Sequence, residues 1–213
     1  GPPIRLFIRK GLYSGDPLER WISRLLENKG IRTFSDLPDN KLRIVASDIS
    51  DGRLLVLPND LPRYGYDPST FTVARAVRMS ASIPYFFEPV VFRNPNKQSI
   101  YVVDGALLSN FPLWLFDQEA SSASSAGLMP KRMPTVGFQL VGKMNAVPRT
   151  IRGSLTMFQA LFATMMEAHD ERFIEEHNRF RTIKIPTLGI RTTQFELTDE
   201  ESMRLYASGY EAG

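Results

Sequence analysis

Cysteine is absent from the 213 residues. Disulfides, thiolate nucleophiles and cysteine-ligated metals are therefore excluded. No apolar run approaches the ~18 residues of a membrane-spanning helix, and no charged start followed by an apolar stretch marks a signal peptide. Strong charge is missing too. A net charge of +3 and a pI near 9.2 suit an anionic lipid surface but are too weak to argue for nucleic acid. There is no Walker-type phosphate loop and no Gly-x-Gly-x-x-Gly, so no nucleotide cofactor is expected. The two histidines, His169 and His177, are spaced too widely for one tetrahedral metal on a helix, and a charged, solvated helix face accounts for them. No Gly-x-Ser-x-Gly string occurs. The nearest, Gly11-Leu12-Tyr13-Ser14-Gly15, sets its serine one place late with a helix start directly after it, so Ser14 reads as a loop residue rather than a nucleophile.

The hydrophobic and charged fractions, 43% and 23%, are those of an ordinary globular protein. Asp16-Pro17-Leu18-Glu19 reads as a helix start with Asp16 as cap, Pro17 in the first turn and Glu19 reaching back. Leu18, Trp21, Ile22, Leu25 and Leu26 recur at helical spacing, and Gly30 suits the stop. Leu42 to Ile49 reads as a buried strand, Asp51-Gly52 as a hairpin turn, and Arg53 to Leu57 as the returning strand. Asp67-Pro68-Ser69-Thr70 predicts a helix from about Phe71 to Ser82, closed by Pro84, with small residues that allow close approach to a sheet. Strands are expected over Glu88 to Phe92, Ser99 to Val103, Thr135 to Val141 and Arg181 to Ile185. A short helix is expected over Pro112 to Asp117 and a long one from Thr150 to about Arg179. A capping box at Thr198-Asp199-Glu200-Glu201 opens the last helix. The serine-rich stretch within 119–134 reads as a flexible surface loop. Strands alternating with helices, some paired as hairpins, give an α/β class with a mixed sheet.

Chemistry gathers at Tyr101-Val102-Val103-Asp104-Gly105-Ala106. An aspartate closing an apolar strand stands where such sheets open to ligands, and Gly105 permits backbone angles closed to other residues. The plainer alternative is that Asp104 caps the following turn with its side chain.

Three stretches alter that balance: Ala76-Val77-Arg78-Met79-Ser80-Ala81-Ser82-Ile83-Pro84-Tyr85-Phe86-Phe87-Glu88-Pro89-Val90, then Asp104-Gly105-Ala106, then Asn110-Phe111-Pro112. Their order and spacing resemble the patatin-like phospholipase family, and Gly11 to Asp16 and the Leu42 to Leu57 hairpin fit the same pattern. The resemblance implies a three-layer α/β/α fold with a mixed, partly parallel sheet. It also implies a lipid acyl hydrolase using a Ser-Asp dyad, with Asp104 as the base that accepts the serine proton directly. Gly105, Ala106 and Asn110 would shape the turn beside it. The nucleophile elbow and the Gly-rich oxyanion loop are not in this sequence. Because the chain starts Gly1-Pro2-Pro3, residues 1–213 are expected to be a partial domain whose N-terminal, nucleophile-bearing part is missing, inactive by itself.

Tyr85, Phe86 and Phe87, like Trp114-Leu115-Phe116, read either as an acyl-chain pocket or membrane-contacting rim, or as core packing. Arg75 and Arg78 read as phosphate-headgroup contacts or as exposed helix charges. No metal and no organic cofactor is implied. The expected partners are a lipid or phospholipid substrate and a peripheral membrane contact, without nucleic acid, in a cytoplasmic or membrane-peripheral setting; no oligomeric state follows from the sequence. The competing class is a non-catalytic lipid- or protein-binding module with the same fold.

Overall fold

The computed structural model describes residues 10–109, 111–116, 135–142, 153, 156–157, 160–161, 164, 179–190, 194 and 196–213. The expected loop at 119–134, most of the expected helix at 150–179, His169, His177 and Asn110 lie outside the described residues. Two compact units make up the chain, 1–110 and 111–213.

The first unit is built on a four-stranded antiparallel sheet. Its strands are β2 (Ile44–Asp48), β3 (Arg53–Leu57), β5 (Val90–Arg93) and β6 (Ser99–Asp104), in the order β3-β2-β6-β5. A separate parallel pair joins β1 (Gly11–Tyr13) to β4 (Tyr85–Phe87). Neither member of that pair was legible in the sequence, because three residues carry no measurable alternation. The expected Glu88 to Phe92 strand begins two residues late, as β5 at Val90, with Glu88-Pro89 separating it from β4, since proline cannot donate to a ladder.

The β2–β3 hairpin turns through residues 49–52, with Gly52 at φ +64°. The turn owes its shape to Asp48, whose Oδ1 accepts from the amides of Ser50 at 2.8 Å and Asp51 at 3.1 Å. Its Oδ2 accepts from the Tyr64 hydroxyl at 2.9 Å. Asp48 is fully buried, and these bonds are what make a carboxylate tolerable there. Burial, reinforced by the Asp48 carboxylate, pushes the Tyr64 phenol above its usual range.

Helix α1 (Asp16–Glu27) begins differently from its expected cap. Gly15 is the capping residue, no side chain of the helix closes a box, and the Asp16 amide donates to Ser14 Oγ at 3.2 Å. Asp16 and Glu19 are drawn away by a distant partner, described below. Helix α2 (Val73–Ser80) starts later than expected, capped by Thr72, whose hydroxyl accepts from the Arg75 amide at 3.3 Å. Asp67 is spent on its own turn, accepting from the Ser69 amide at 2.9 Å and hydroxyl at 2.8 Å. Phe71 is thereby left outside the helix and drops into the core.

That core joins Leu55, Leu57 and Leu61 to Met79 of α2, Phe92 of β5 and Val102 of β6. Each buried side chain of this size contributes about 2 kcal/mol through removal from water. Phe92 is its aromatic centre, with Tyr66 at 4.6 Å and Phe71 edge-on at 6.0 Å and 87°.

In the second unit β7 (Gly137–Val141) and β8 (Thr182–Pro186) pair in parallel. Helix α3 (Asp199–Ala212) follows, opened by the expected capping box between Thr198 and Glu201. The Ser208 hydroxyl donates to the Pro186 carbonyl at 2.8 Å, tying α3 to β8. The class is mixed α/β, with parallel and antiparallel pairing. Among the described residues, no helix is long and apolar enough to cross a membrane.

Candidate active site

β6 ends at Asp104, opposite Ala46 of β2. Its backbone at φ −48° and ψ 134° lets the chain pass straight into a 3-10 turn, Gly105–Leu107. The side chain caps that turn: Oδ1 accepts from the Ala106 amide at 2.8 Å. Among the described residues, nothing donates to Oδ2. The two sequence readings of Asp104, turn cap and aimed carboxylate, are therefore compatible, because one oxygen does the capping while the other stays open.

Burial pushes the Asp104 carboxyl up to about 6, against the Ala106 amide bond, which pulls the other way. A carboxyl that titrates close to neutrality can take a proton and release it at ordinary pH.

Gly105 is required for a reason other than the one expected. Its φ is not in the left-handed region, but a Cβ there would overlap the Val45 backbone, with the Val45 carbonyl carbon 2.6 Å away and the oxygen closer still. Space against β2, not backbone freedom, makes the position glycine. Ala106 supplies the amide that holds Oδ1.

The chain leaving α2 supports the same corner. The Asp104 amide donates to the Ser82 carbonyl at 3.0 Å. Ser82 is buried, and its hydroxyl donates to the Arg78 carbonyl at 2.7 Å. Arg78 meets neither of its expected settings. Its side chain is 15% exposed and pairs with Asp16 Oδ1 at 2.8 Å and Glu19 Oε2 at 3.2 Å. Its Nε lies 2.6 Å from where a Cβ of Gly15 would stand. This guanidinium took the two acids from the α1 cap. Arg75 instead lies over the Phe71 ring, 5.8 Å from its centroid.

Tyr85, Phe86 and Phe87 form β4 and are each half-buried, outside the core cluster. Tyr85 has φ +69°, a conformation that bulky residues rarely adopt and that gathers at functional sites. Gly11 faces this strand so closely that a Cβ would overlap Phe87 and the Glu88 amide. Trp114, Leu115 and Phe116 are helical and fall in the second unit.

Neither buried serine beside Asp104 offers it a hydroxyl. Ser47 donates toward the Gly105 carbonyl at 3.4 Å, and Ser82 is committed to Arg78. Sequence reasoning missed the Ser82 carbonyl, the Arg78 pairing and the Val45 contact. Only Arg78 left a trace, as one of two arginines among the small, buried positions of α2.

Two known proteins and one family model are similar to the chain. The protein named "Uncharacterized protein YqhO" of Bacillus subtilis (strain 168) is 42% identical over 207 residues, covering 97% of this chain and 67% of the relative. "Uncharacterized protein R571" of Acanthamoeba polyphaga mimivirus is 32% identical over 117 residues, covering 54% of this chain and 35% of the relative. The family model described as patatin-like phospholipase matches residues 2–117, more than half of the chain and the whole run from α1 through Asp104. On that match the chain belongs to the patatin-like phospholipase family.

Proposed function

We propose that the protein hydrolyses carboxylic esters of lipids, of phospholipid or lysophospholipid type, with Asp104 as the general base of a Ser-Asp dyad. The reading is carried by one observation: a carboxyl raised to about 6 by burial, with one oxygen held by the Ala106 amide and the other unengaged by any described residue. Family membership supports ester hydrolysis, since these proteins are generally lipid acyl hydrolases.

In the proposed step, a serine hydroxyl gives its proton to Asp104 Oδ2 as its oxygen attacks the ester carbonyl. The acyl-enzyme forms, and the alcohol leaves with a proton returned from Asp104. Water, deprotonated by the same carboxylate, then attacks the acyl carbonyl, and Asp104 returns that proton to the serine oxygen as the fatty acid is released. Positioned amide donors would stabilise the oxyanion. The serine and those donors are proposed to lie outside these 213 residues, on a longer polypeptide. Two facts support this: the absence of a Gly-x-Ser-x-Gly string and the extension of the first relative beyond the match, which covers 67% of it. Half-buried Tyr85, Phe86 and Phe87 are proposed to border the acyl chain.

The test is phospholipid hydrolysis by the intact polypeptide containing this chain. Asp104→Asn is expected to lower kcat/KM by 100-fold or more, roughly the contribution of a positioned base. The 213-residue chain alone is expected to show no turnover. Undiminished turnover by the Asp104→Asn variant would overturn the proposal.

A further inference from the structure

Helix α2 ends on a side chain rather than on its own backbone. The Ala81 amide still donates to the Val77 carbonyl at 3.0 Å, one α-helical step. At Ser82 the amide turns instead to the Met79 carbonyl, at 3.2 Å. That turn would leave the Arg78 carbonyl without its helical donor. The Ser82 hydroxyl takes the vacant place, donating to it at 2.7 Å. Pro84 fixes the exit, because the residue before a proline is kept out of the helical region. Ile83 accordingly turns off, with its amide on the Ala81 carbonyl at 2.9 Å. Ser82 is 1% exposed, so bulk water cannot take over the bond its hydroxyl makes.

The Ser82 carbonyl, released from the helix, accepts from the Asp104 amide at 3.0 Å. That amide meets no strand on this side. β5 begins at Val90, opposite Val102, and so stops short of Asp104. β2, with Ala46 opposite Asp104, lies on the other side. The Ser82 carbonyl therefore stands where a longer β5 would, and it satisfies a donor that the corner would otherwise leave unpaired.

We infer that Ser82 is a positioning residue for Asp104: its hydroxyl replaces the helical bond of its own amide, and this leaves its carbonyl aimed at the backbone of the base. Without the hydroxyl, the shortest repair is for the residue 82 amide to swing back onto the Arg78 carbonyl. Carbonyls within a helix run along its axis, so the swing would carry the residue 82 carbonyl away from Asp104. The base would lose the anchor on its backbone and keep only the Ala106 bond on its side chain. The inference rests on the reading of Asp104 as general base, and it adds a residue that touches neither the substrate nor the attacking serine. A hydroxyl that merely closes a helix end, as serine can do by bonding four residues back, would affect stability and leave the proton transfer alone.

The experiment compares phospholipid hydrolysis by the intact polypeptide containing this chain with that by its Ser82→Ala variant. kcat is expected to fall about tenfold with KM nearly unchanged, since a misplaced base slows the chemical step and not binding. Movement of the corner admits water to a carboxyl that burial holds at about 6. The acid limb of kcat/KM and the Asp104 carboxyl titration, followed by carbon-13 NMR, are both expected to move down by about half a pH unit. Ser82→Cys fills the same space with a weaker donor, and its kcat is expected to fall between those of the parent and the alanine variant. If the alanine variant does not fold, the cysteine variant carries the test, and a parent-like kcat in it would overturn the inference. One readout needs no variant: in the parent, the Asp104 amide is expected to exchange with solvent as slowly as the core strands. Parent-like kcat and acid limb in the alanine variant, a kcat loss with the carboxyl titration unmoved, or a fast-exchanging Asp104 amide in the parent would each overturn it as well. The two readings fail by different observations. Undiminished turnover in Asp104→Asn refutes the base, whereas an unmoved Asp104 titration in Ser82→Ala, read without any turnover, refutes the positioning.

Discussion

The amide of Asp104 donates to the carbonyl of Ser82 at 3.0 Å, fastening the end of β6 to the chain that leaves α2. Twenty-two residues separate the two in sequence, and two strands intervene. The contact explains why the small-residue helix end and the Asp-Gly-Ala turn stand together: each supplies a backbone wall of one corner. A carboxyl in such a corner loses water, and that loss raises its pKa to about 6.

Gly105→Ala tests the corner's geometry. The added methyl would overlap the Val45 backbone, and backbone cannot swing aside as the end of a side chain can. The variant is expected to lose about 1–3 kcal/mol, the usual cost of overpacking. Urea unfolding measures it. A variant as stable as the parent would show that β2 and the turn can part without cost.

Arg78 offers a separate test. It sits at 15% exposure between Asp16, at 55%, and Glu19, at 28%. The pairing is thus only partly shielded, and its strength lies between that of a surface ion pair and a buried one. A double-mutant cycle of Arg78→Met and Glu19→Gln is expected to give a coupling of about 1 kcal/mol. Strict additivity would mean that the guanidinium holds α1 by packing alone.

Much of this was legible beforehand where side-chain pattern decides the structure. The β2–β3 hairpin, the Thr198 capping box and the strand ending at Asp104 follow from alternation, turn chemistry and capping, all local. What escaped was tertiary. Asp16 and Glu19 looked like a cap and its partner because nothing nearby in sequence announced Arg78. Gly105 looked like a residue chosen for backbone freedom because Val45, its real constraint, is 60 positions earlier. Strands β1 and β4 escaped because each is only three residues long. The family resemblance covered the region that carries these corner contacts, and so singled out Asp104 as a candidate where periodicity could not.

Asp104 is expected to cost stability at neutral pH. Its folded-state pKa of about 6 lies above the ordinary carboxyl value of 3.8, so the native state binds this proton more tightly than the unfolded chain. The resulting stabilisation is complete below about pH 3.8 and is lost as pH rises through about 6. Asp104→Asn removes the ionisation and keeps an oxygen for the Ala106 amide. It is expected to be more stable than the parent at pH 8 by on the order of 2 kcal/mol, after allowance for residual solvent contact, and nearly equal to it at pH 3.5. Thermal melts at the two pH values measure this. An equal or lower Tm for the variant at pH 8 would contradict the buried-carboxyl account.

The rate of the intact enzyme should move with pH in the opposite sense. A base works only when unprotonated, so kcat/KM is expected to fall about tenfold per pH unit below about 6 and to level off above it. The opposition is diagnostic, because this carboxyl stabilises the fold over the range in which it stops accepting protons. Activity lost on going from pH 7 to pH 5 therefore does not come from this group unfolding the protein. Tm and kcat/KM, measured side by side on one sample, separate the two effects. A profile flat from pH 5 to 8, with the fold intact throughout, would remove Asp104 from the proton transfer.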